Sequence, residues 1–271
     1  MLSDITIGQF FPGNSLLHRL DPRMKLLITF AYIIVIFIPK NWAGLAVAVV
    51  FLMLGVLLSR ISPKILLKSL KPVLPLLIFT ALINILYVDG ATVLKEFWIF
   101  KITVEGIYTA IFIAIRILCL IAISSLLTYT TSPTTLTDAL ERLMRPLKLI
   151  RVPVHEIAMM MTIALRFIPT LIEETDKIMS AQKARGADME SGSLFQRVRA
   201  LIPVLVPLFV SSFRRAYELA TAMECRCYNG GDGRTRMKQL HMAARDYVTV
   251  TVTLLMMAAM VVTNFFVPAT I

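Results

Sequence analysis

The sequence predicts an all-α integral membrane protein with about five transmembrane helices and two long amphipathic cytoplasmic helices. Three observations lead to this fold class. The 271 residues are 57% hydrophobic and their mean hydropathy is +0.76, whereas soluble domains are about 45–50% apolar. Long apolar runs are separated by short basic segments. One long segment, residues 130–246, instead mixes apolar and charged residues at helical spacing.

Five apolar runs are the predicted membrane spans, and most approach the roughly 17–25 residues that a spanning helix needs. The first is short, but the tight link "IPKNW" joins it to the second, so the two form a predicted membrane hairpin. The first 20 residues are polar, and we expect no cleavable signal peptide. The runs cover residues 26–38, 42–59, 72–88, 107–129 and 247–268. The predicted organisation is therefore a membrane domain (1–129), a cytoplasmic domain (130–246) and a final transmembrane helix (247–271).

The distribution of lysine and arginine predicts the orientation in the membrane. With the amino terminus inside, the short loops carry 7 basic residues on the inner side and 3 on the outer side. Because basic residues concentrate on the cytoplasmic side, we expect a cytoplasmic amino terminus and an external carboxyl terminus. The net charge of +11 then reflects inner-side loops rather than nucleic-acid binding. The three cysteines, Cys119, Cys225 and Cys227, are expected within the membrane or on its inner side and imply no disulfide framework.

The cytoplasmic segment contains two predicted helices, residues 154–182 and 194–223. Their apolar residues recur at spacings of three, four and seven, with charges on another face. Prolines 169, 203 and 207 lie within these helices, and we expect each to bend its helix. Helices of this length, about 40–45 Å, are longer than a compact domain requires.

The same short pattern follows both helices. "AQKARG" ends with Ala184, Arg185 and Gly186, and "AMECRC" ends with Cys225, Arg226 and Cys227. Each arginine lies at a predicted helix end between two small residues, which allow another surface to approach closely. A guanidinium offers a planar fork of donors that matches a carboxylate. The repeat predicts a docking element for an acidic, two-part cytoplasmic partner.

Other chemistries have weaker support. The two cysteines of "CRC" supply half of a zinc site, but no further ligands have suitable spacing. The stretch "GGDGRTR" lacks the pattern of a phosphate-binding loop and is interpreted as a turn beside anionic lipid headgroups. The histidines have no nucleophile or carboxylate at catalytic spacing. Arg116 lies within the fourth span and is expected to face the interior of the bundle, with a structural or a functional role left open.

These residues resemble the transmembrane T component of energy-coupling factor transporters. That family carries two Ala-Arg-Gly-type motifs at the ends of two cytoplasmic coupling helices. The first motif is intact here, whereas Cys225 and Cys227 replace Ala and Gly in the second. Further family-like stretches are "LDPRMKL", "TTSP", "RFIP" and "GGDGRTR". The replacements are small, but they leave open whether a close backbone approach needs glycine itself.

The resemblance implies a non-catalytic subunit of an importer in a prokaryotic cell membrane. Two cytoplasmic ATP-binding-cassette ATPases would receive the arginines of the two motifs and would hold the ATP and magnesium. This chain would have no cofactor or metal of its own. A membrane-embedded S component would capture the substrate, a vitamin or related micronutrient, and would pack on the helices of this chain among membrane lipids. No nucleic-acid partner is implied, and "GGDGRTR" favours a subunit shared by several S components.

Two other functions remain open from the residues alone. A self-sufficient secondary transporter would show inverted repeats and polar residues at mid-membrane, and the spans offer few besides Arg116. A membrane-embedded lipid-head transferase would need clustered acids or an activated nucleophile. The only candidate cluster is Glu173, Glu174 and Asp176.

Overall fold

The computed structural model describes residues 10–88, 93–97, 100–187, 193–231 and 241–266, and the described chain is almost entirely helical. Nine α-helices follow one another along it, with 3-10 turns at Lys71–Val73 and Arg145–Ile150. They are α1 (Pro22–Val35), α2 (Trp42–Ser59), α3 (Pro63–Leu70), α4 (Leu74–Tyr87), α5 (Val104–Thr130), α6 (Pro133–Leu143), α7 (Val154–Ala184), α8 (Leu194–Glu224) and α9 (Ala244–Phe266).

The helices belong to two compact units. The described residues within Gly8–Ala139 and Gln239–Ile271 form the first, which contains α1 to α5 and α9. Those within Leu140–Lys238 form the second, which contains α7 and α8. The domain limits predicted at 129/130 and 246/247 divide membrane segments from a cytoplasmic segment, and this division stays a prediction.

Polar residues immediately before the apolar runs determine where several helices begin. Asn41 caps α2, since its Oδ1 accepts a hydrogen bond from the Gly44 amide at 2.8 Å. Thr103 caps α5 in the same way through the Gly106 amide. Ser193 opens α8 with a reciprocal capping box to Gln196. Such caps satisfy amides that have no partner inside the helix.

The core of the first unit lies between α1, α2, α5 and α9. Its fully buried side chains include Tyr32, Ala48 and Met260, and the Tyr32 hydroxyl donates to the Ala48 carbonyl at 3.0 Å. This bond links α1 to α2 and satisfies a buried hydroxyl. The apolar faces predicted from the sequence therefore pack as a helical bundle.

Polar contacts tie the two ends of this bundle. At one end, Asn41 Nδ2 donates to the Thr263 carbonyl at 2.7 Å and joins α2 to α9. At the other end, the Asp21 amide donates to Asp246 Oδ1 at 2.8 Å. The Lys25 ammonium there donates to the Thr130 carbonyl at 3.0 Å. The "LDPRMKL" stretch therefore joins α1 to both α9 and the end of α5.

Six helical segments of the described chain are long and apolar enough to cross a membrane. They include four of the predicted spans, at Trp42–Ser59, Pro63–Tyr87, Val104–Thr130 and Ala244–Phe266. The first predicted span is α1, which has 14 residues and is about 21 Å long, shorter than the roughly 30 Å hydrocarbon core. The other two segments are Val154–Ala184 and Phe195–Glu224. The fold is that of a multi-pass, all-helical membrane protein, and the cytoplasmic position of α7 and α8 remains a prediction.

A short β-hairpin between α4 and α5 was not predicted. Strand β1 (Val93–Phe97) pairs antiparallel with β2 (Phe100–Thr103), and β2 lies beside α4. The hairpin leads directly into Thr103, the residue that caps α5. It therefore connects two spans without adding a sheet to the core.

Candidate functional site

The first arginine motif ends α7 in a Schellman closure. The Ala187 amide donates to the Gln182 carbonyl at 3.0 Å, and the Gly186 amide donates to the Lys183 carbonyl at 3.0 Å. Gly186 has a φ of 85°, the left-handed conformation that this closure requires and that glycine adopts without strain. The prediction that glycine lies just past the end of this helix is confirmed.

The second motif ends α8 with the same hydrogen bonds, displaced by 41 positions along the chain. The Tyr228 amide donates to the Met223 carbonyl at 3.0 Å, and the Cys227 amide donates to the Glu224 carbonyl at 2.8 Å. Arg226 therefore occupies the place that Arg185 holds in the first closure. The overlay of the two sequence patterns corresponds to a structural equivalence of the two helix ends.

The last position of each motif has a backbone function as well as a small side chain. Cys227 has a φ of 56° and lies in the left-handed region, where an L-residue other than glycine is strained by about 1–2 kcal/mol. The equivalent Gly186 avoids this strain. The replacement of glycine by cysteine thus preserves the helix ending at an energetic cost.

The two arginines are available at the surface. Arg185 and Arg226 are both exposed, as are Ala184, Cys225 and Cys227. Among the described residues, neither guanidinium has a hydrogen-bond or ion-pair partner. Each helix end therefore presents a cation and small flanking residues to solvent.

Helices α7 and α8 are antiparallel where they cross. The Glu174 carboxylate accepts a short hydrogen bond from the Ser211 hydroxyl and pairs with Arg215 Nη2 at 3.0 Å. Farther along α7, Gln182 Nε2 donates to the Pro203 carbonyl at 3.3 Å. Moving toward the end of α7 therefore means moving toward the start of α8.

This antiparallel packing places the arginines on opposite sides of the crossing. Arg185 is 11 residues beyond Glu174, and Arg226 is 11 residues beyond Arg215. With a rise of 1.5 Å per residue, the two guanidinium-bearing ends are separated by on the order of 30–40 Å. The two exposed arginines therefore lie far apart on the helix pair and do not form one combined cluster.

The loop after α8 folds back onto the start of α7. A side chain at Gly231 would collide with the His155 ring, so this glycine permits a close approach. His155 Nδ1 is itself 3.0 Å from Glu141 Oε1. The sequence prediction had assigned His155 no role. Of "GGDGRTR", only Gly230 and Gly231 fall inside the described residues.

A stripe of exposed apolar side chains runs along α8, and we call it the α8 stripe. Its members recur every three or four residues and so share one helix face; the most exposed are Phe195 at 78% and Tyr217 at 76%. The stripe consists of Phe195, Val198, Ile202, Val206, Phe209, Phe213 and Tyr217. A contiguous exposed apolar surface of this kind suits contact with lipid or with an apolar protein surface.

The remaining candidate residues, Arg116 and the acidic cluster, make contacts within the fold. Arg116 Nη2 donates to the Pro39 carbonyl at 2.6 Å, and its guanidinium lies 4.7 Å from the Phe112 ring centroid. This contact holds the turn between α1 and α2. In the acidic cluster, Glu174 is bonded to Ser211 and Arg215 as described above. No group of three or more His, Cys, Asp or Glu within the described residues could hold a metal ion.

The fold and the two helix ends define a class: an α-helical membrane protein with a pair of exposed arginine tips on antiparallel helices. A family model described as "CbiQ: Cobalt transport protein" matches residues 13–238. Curated relatives named "Energy-coupling factor transporter transmembrane protein EcfT" match nearly the whole chain. The protein from Ruminiclostridium cellulolyticum is 53% identical over 265 residues, covering 98% of this chain and 99% of its own length.

Two further relatives bear the same name. The Clostridium kluyveri protein is 54% identical and covers 92% of each chain. The Bacillus subtilis protein is 46% identical and covers 96% of this chain and 98% of its own length. The chain therefore belongs to the family of transmembrane T components of energy-coupling factor transporters, as the resemblance in its motifs indicated.

Proposed function

We propose that this transporter subunit couples ATP hydrolysis by two cytoplasmic ATPases to substrate uptake through a membrane-embedded S component. One observation carries the proposal: two helices end in the same hydrogen-bonded closure, each with an exposed arginine at the same place. A single partner would need one such end. Two equivalent ends suit two related partners.

The separation of the two ends supports a pair of ATPase subunits. The two arginines are on the order of 30–40 Å apart along the crossed helix pair. Each arginine therefore enters its own acidic groove. Charge-assisted hydrogen bonds between guanidinium and carboxylate are short and directional, so closure of the ATPases on ATP would displace both helix ends. The Glu174–Arg215 and Glu174–Ser211 contacts at the crossing then transmit movement from one helix to the other.

The α8 stripe supports an apolar membrane partner. Its side chains continue along the helix that carries Arg226, so a displaced helix end moves the stripe as well. In the proposed mechanism the stripe packs on the S component, whose reorientation carries the substrate inward. The substrate class, a vitamin or related micronutrient, is part of the proposal and is determined by the S component. The ATP and magnesium belong to the ATPases.

The native cysteines provide a direct test of the arginine sites. Cys225 and Cys227 are exposed, whereas Cys119 is buried, so a maleimide reagent should modify only the first two in the isolated chain. When the two ATPases are bound, both thiols should become protected, as measured by mass spectrometry of the modified peptides. Equal labelling with and without bound ATPases would contradict docking at the second end.

The same thiols test the proposed orientation. A membrane-impermeant maleimide should leave Cys225 and Cys227 unmodified in intact cells that express this chain without its ATPases, and should modify them after permeabilisation. Labelling of intact cells would place α8 outside and overturn the mechanism. A secondary transporter is the alternative, and it predicts purification without any associated ATPase.

A further inference from the structure

A cavity of about 500 Å³ lies within the first unit, among α1, α2, α5, α9 and the segment before α1. This volume is within the roughly 300–1,000 Å³ typical of ligand pockets. Its walls are almost wholly apolar. They include Ile28, Phe51, Leu54, Ile123, Leu126 and Val252.

The cavity is open at the surface of the helices. Leu54 and Leu58 of α2 are 44% and 47% exposed, and Val248 and Val252 of α9 are 62% and 45% exposed. Both helices are candidate membrane spans, so in a bilayer this opening would face hydrocarbon. Interiors are close-packed, and an acyl chain is the occupant that a membrane supplies for such a space.

One end of the cavity is cationic. Lys25 and Arg245 both line it, and they lie at the same end of the bundle because the Asp21 amide donates to Asp246 Oδ1. The Lys25 ammonium is buried. It donates to the His18 and Thr130 carbonyls and to the Thr131 hydroxyl, at 3.4, 3.0 and 3.4 Å, so its three N–H groups already have acceptors. Arg245, in contrast, is exposed.

Two carboxylates, Asp246 and Asp21, lie near Lys25 and partly offset its charge, although their hydrogen bonds are to other groups. The oxygens of Asp246 accept the amides of Asp21 and Ala243, each at 2.8 Å. Asp21 Oδ1 accepts the Arg23 amide at 2.9 Å and lies 3.4 Å from Arg23 Nε. Neither Asp21 nor Asp246 lines the cavity. The lining thus combines an apolar body with a positive end.

We propose that this cavity binds an anionic phospholipid, with an acyl chain between α2 and α9 and its phosphate against Arg245. Arg245 is the exposed cation that meets the phosphate, since the N–H groups of Lys25 are already bonded within the protein. The lipid fills the space between the helices that the Asp21–Asp246 contact joins, and it is a structural ligand of the membrane unit. The proposal is independent of ATPase docking.

The headgroup arm of the test compares phosphatidylglycerol with phosphatidylcholine on the full-length chain, by native mass spectrometry in detergent. We expect phosphatidylglycerol to be retained more strongly, and Arg245→Gln to reduce that preference about fivefold, as for one cation near a lipid surface. Lys64→Gln is the matched control, since Lys64 is an exposed cation outside the cavity. Equal retention of the two lipids, or an equal effect of both substitutions, would overturn the proposal.

The acyl-chain arm uses a cavity-filling substitution. Val252→Trp should lower the amount of bound phosphatidylglycerol at least fivefold, whereas Leu255→Trp should not, because Leu255 is exposed on α9 but does not line the cavity. Thermal unfolding of both variants verifies that each is folded. Competition by soluble glycerol 3-phosphate would assign the cationic end to free phosphate. Protection of a cysteine at position 252 by the S component instead of by lipid would assign the cavity to protein. Either result contradicts the lipid assignment.

Discussion

Helix α7 closes on Gly186 and helix α8 closes on Cys227, yet the two ends make the same pair of backbone hydrogen bonds. Their φ angles, 85° and 56°, are both left-handed. The residue after each arginine therefore meets two separate requirements. One is a small side chain that leaves room for a partner. The other is a left-handed backbone, which turns the chain away from the helix immediately after the arginine.

The arginine is the part of the motif that is identical at the two helix ends. Arg185 and Arg226 hold the same position in the closure and are both exposed. The arginine is therefore the element that we expect to bind, while the flanking residues orient it.

The largest effect is expected from removing both arginines. A hydrogen bond to a charged group contributes about 1.5–3 kcal/mol, which corresponds to roughly 10- to 150-fold in affinity for each arginine. Arg185→Ala alone and Arg226→Ala alone should each weaken ATPase co-purification. The double variant should abolish both co-purification and ATPase activity in reconstituted vesicles.

Arg214→Ala provides the control for this pair, since Arg214 is also an exposed arginine of α8 but does not belong to either closure. It should leave ATPase co-purification near the wild-type level. Normal co-purification of the double variant would show that the ATPases dock elsewhere. A loss caused only by Arg185→Ala would show that the two ends are not functionally equivalent.

Much of this architecture could be predicted from the sequence because it depends on local composition. The second span was predicted at 42–59, and α2 is Trp42–Ser59. The long helices were predicted at 154–182 and 194–223, and α7 and α8 extend these by two residues and one residue. Apolar periodicity, capping residues and a terminal glycine are all signals within a few positions of the boundary that they determine.

The contacts that could not be predicted join residues that are far apart in the chain. Arg116 binds the Pro39 carbonyl, 77 positions away, and Glu174 meets Ser211 at the helix crossing. Nothing local to these residues specifies the partner. The left-handed conformation of Cys227 was also missed, because cysteine rarely adopts it and only the equivalence with Gly186 could have indicated it.

A smaller effect is expected from bulk at the second end. Cys227→Leu retains the left-handed backbone but adds a branched side chain beside Arg226. A clash at a close-packed surface typically costs about 1–3 kcal/mol, so ATPase co-purification should fall about five- to a hundredfold. Cys227→Ala is the matched control and should bind normally, since it removes the thiol without adding bulk.

Restoring Ala and Gly around Arg226 tests whether Cys225 and Cys227 serve only as small spacers or act as reactive thiols. The double variant Cys225→Ala, Cys227→Gly should dock and support vesicle ATPase activity near the wild-type level. If this variant is inactive while Cys227→Leu works, the cysteines serve a thiol chemistry. A metal site would in addition make wild-type docking sensitive to chelators.

The smallest effect is expected from exchanging the left-handed residues between the two ends. A Cβ at Gly186 would meet nothing within 4 Å, so Gly186→Cys adds backbone strain of about 1–2 kcal/mol and no clash. Cys227→Gly relieves the same strain, although the freer unfolded chain offsets about 0.5–1 kcal/mol of that gain. We therefore expect amide hydrogen exchange at residues 184–187 to become faster in Gly186→Cys and exchange at 225–228 to become slower in Cys227→Gly. The helix crossing at Glu174 lies away from both ends, and amide exchange there should be unchanged. If both exchange rates moved in the same direction, the two closures would not be energetically equivalent, and Cys227 would be stabilised by contacts that Gly186 lacks.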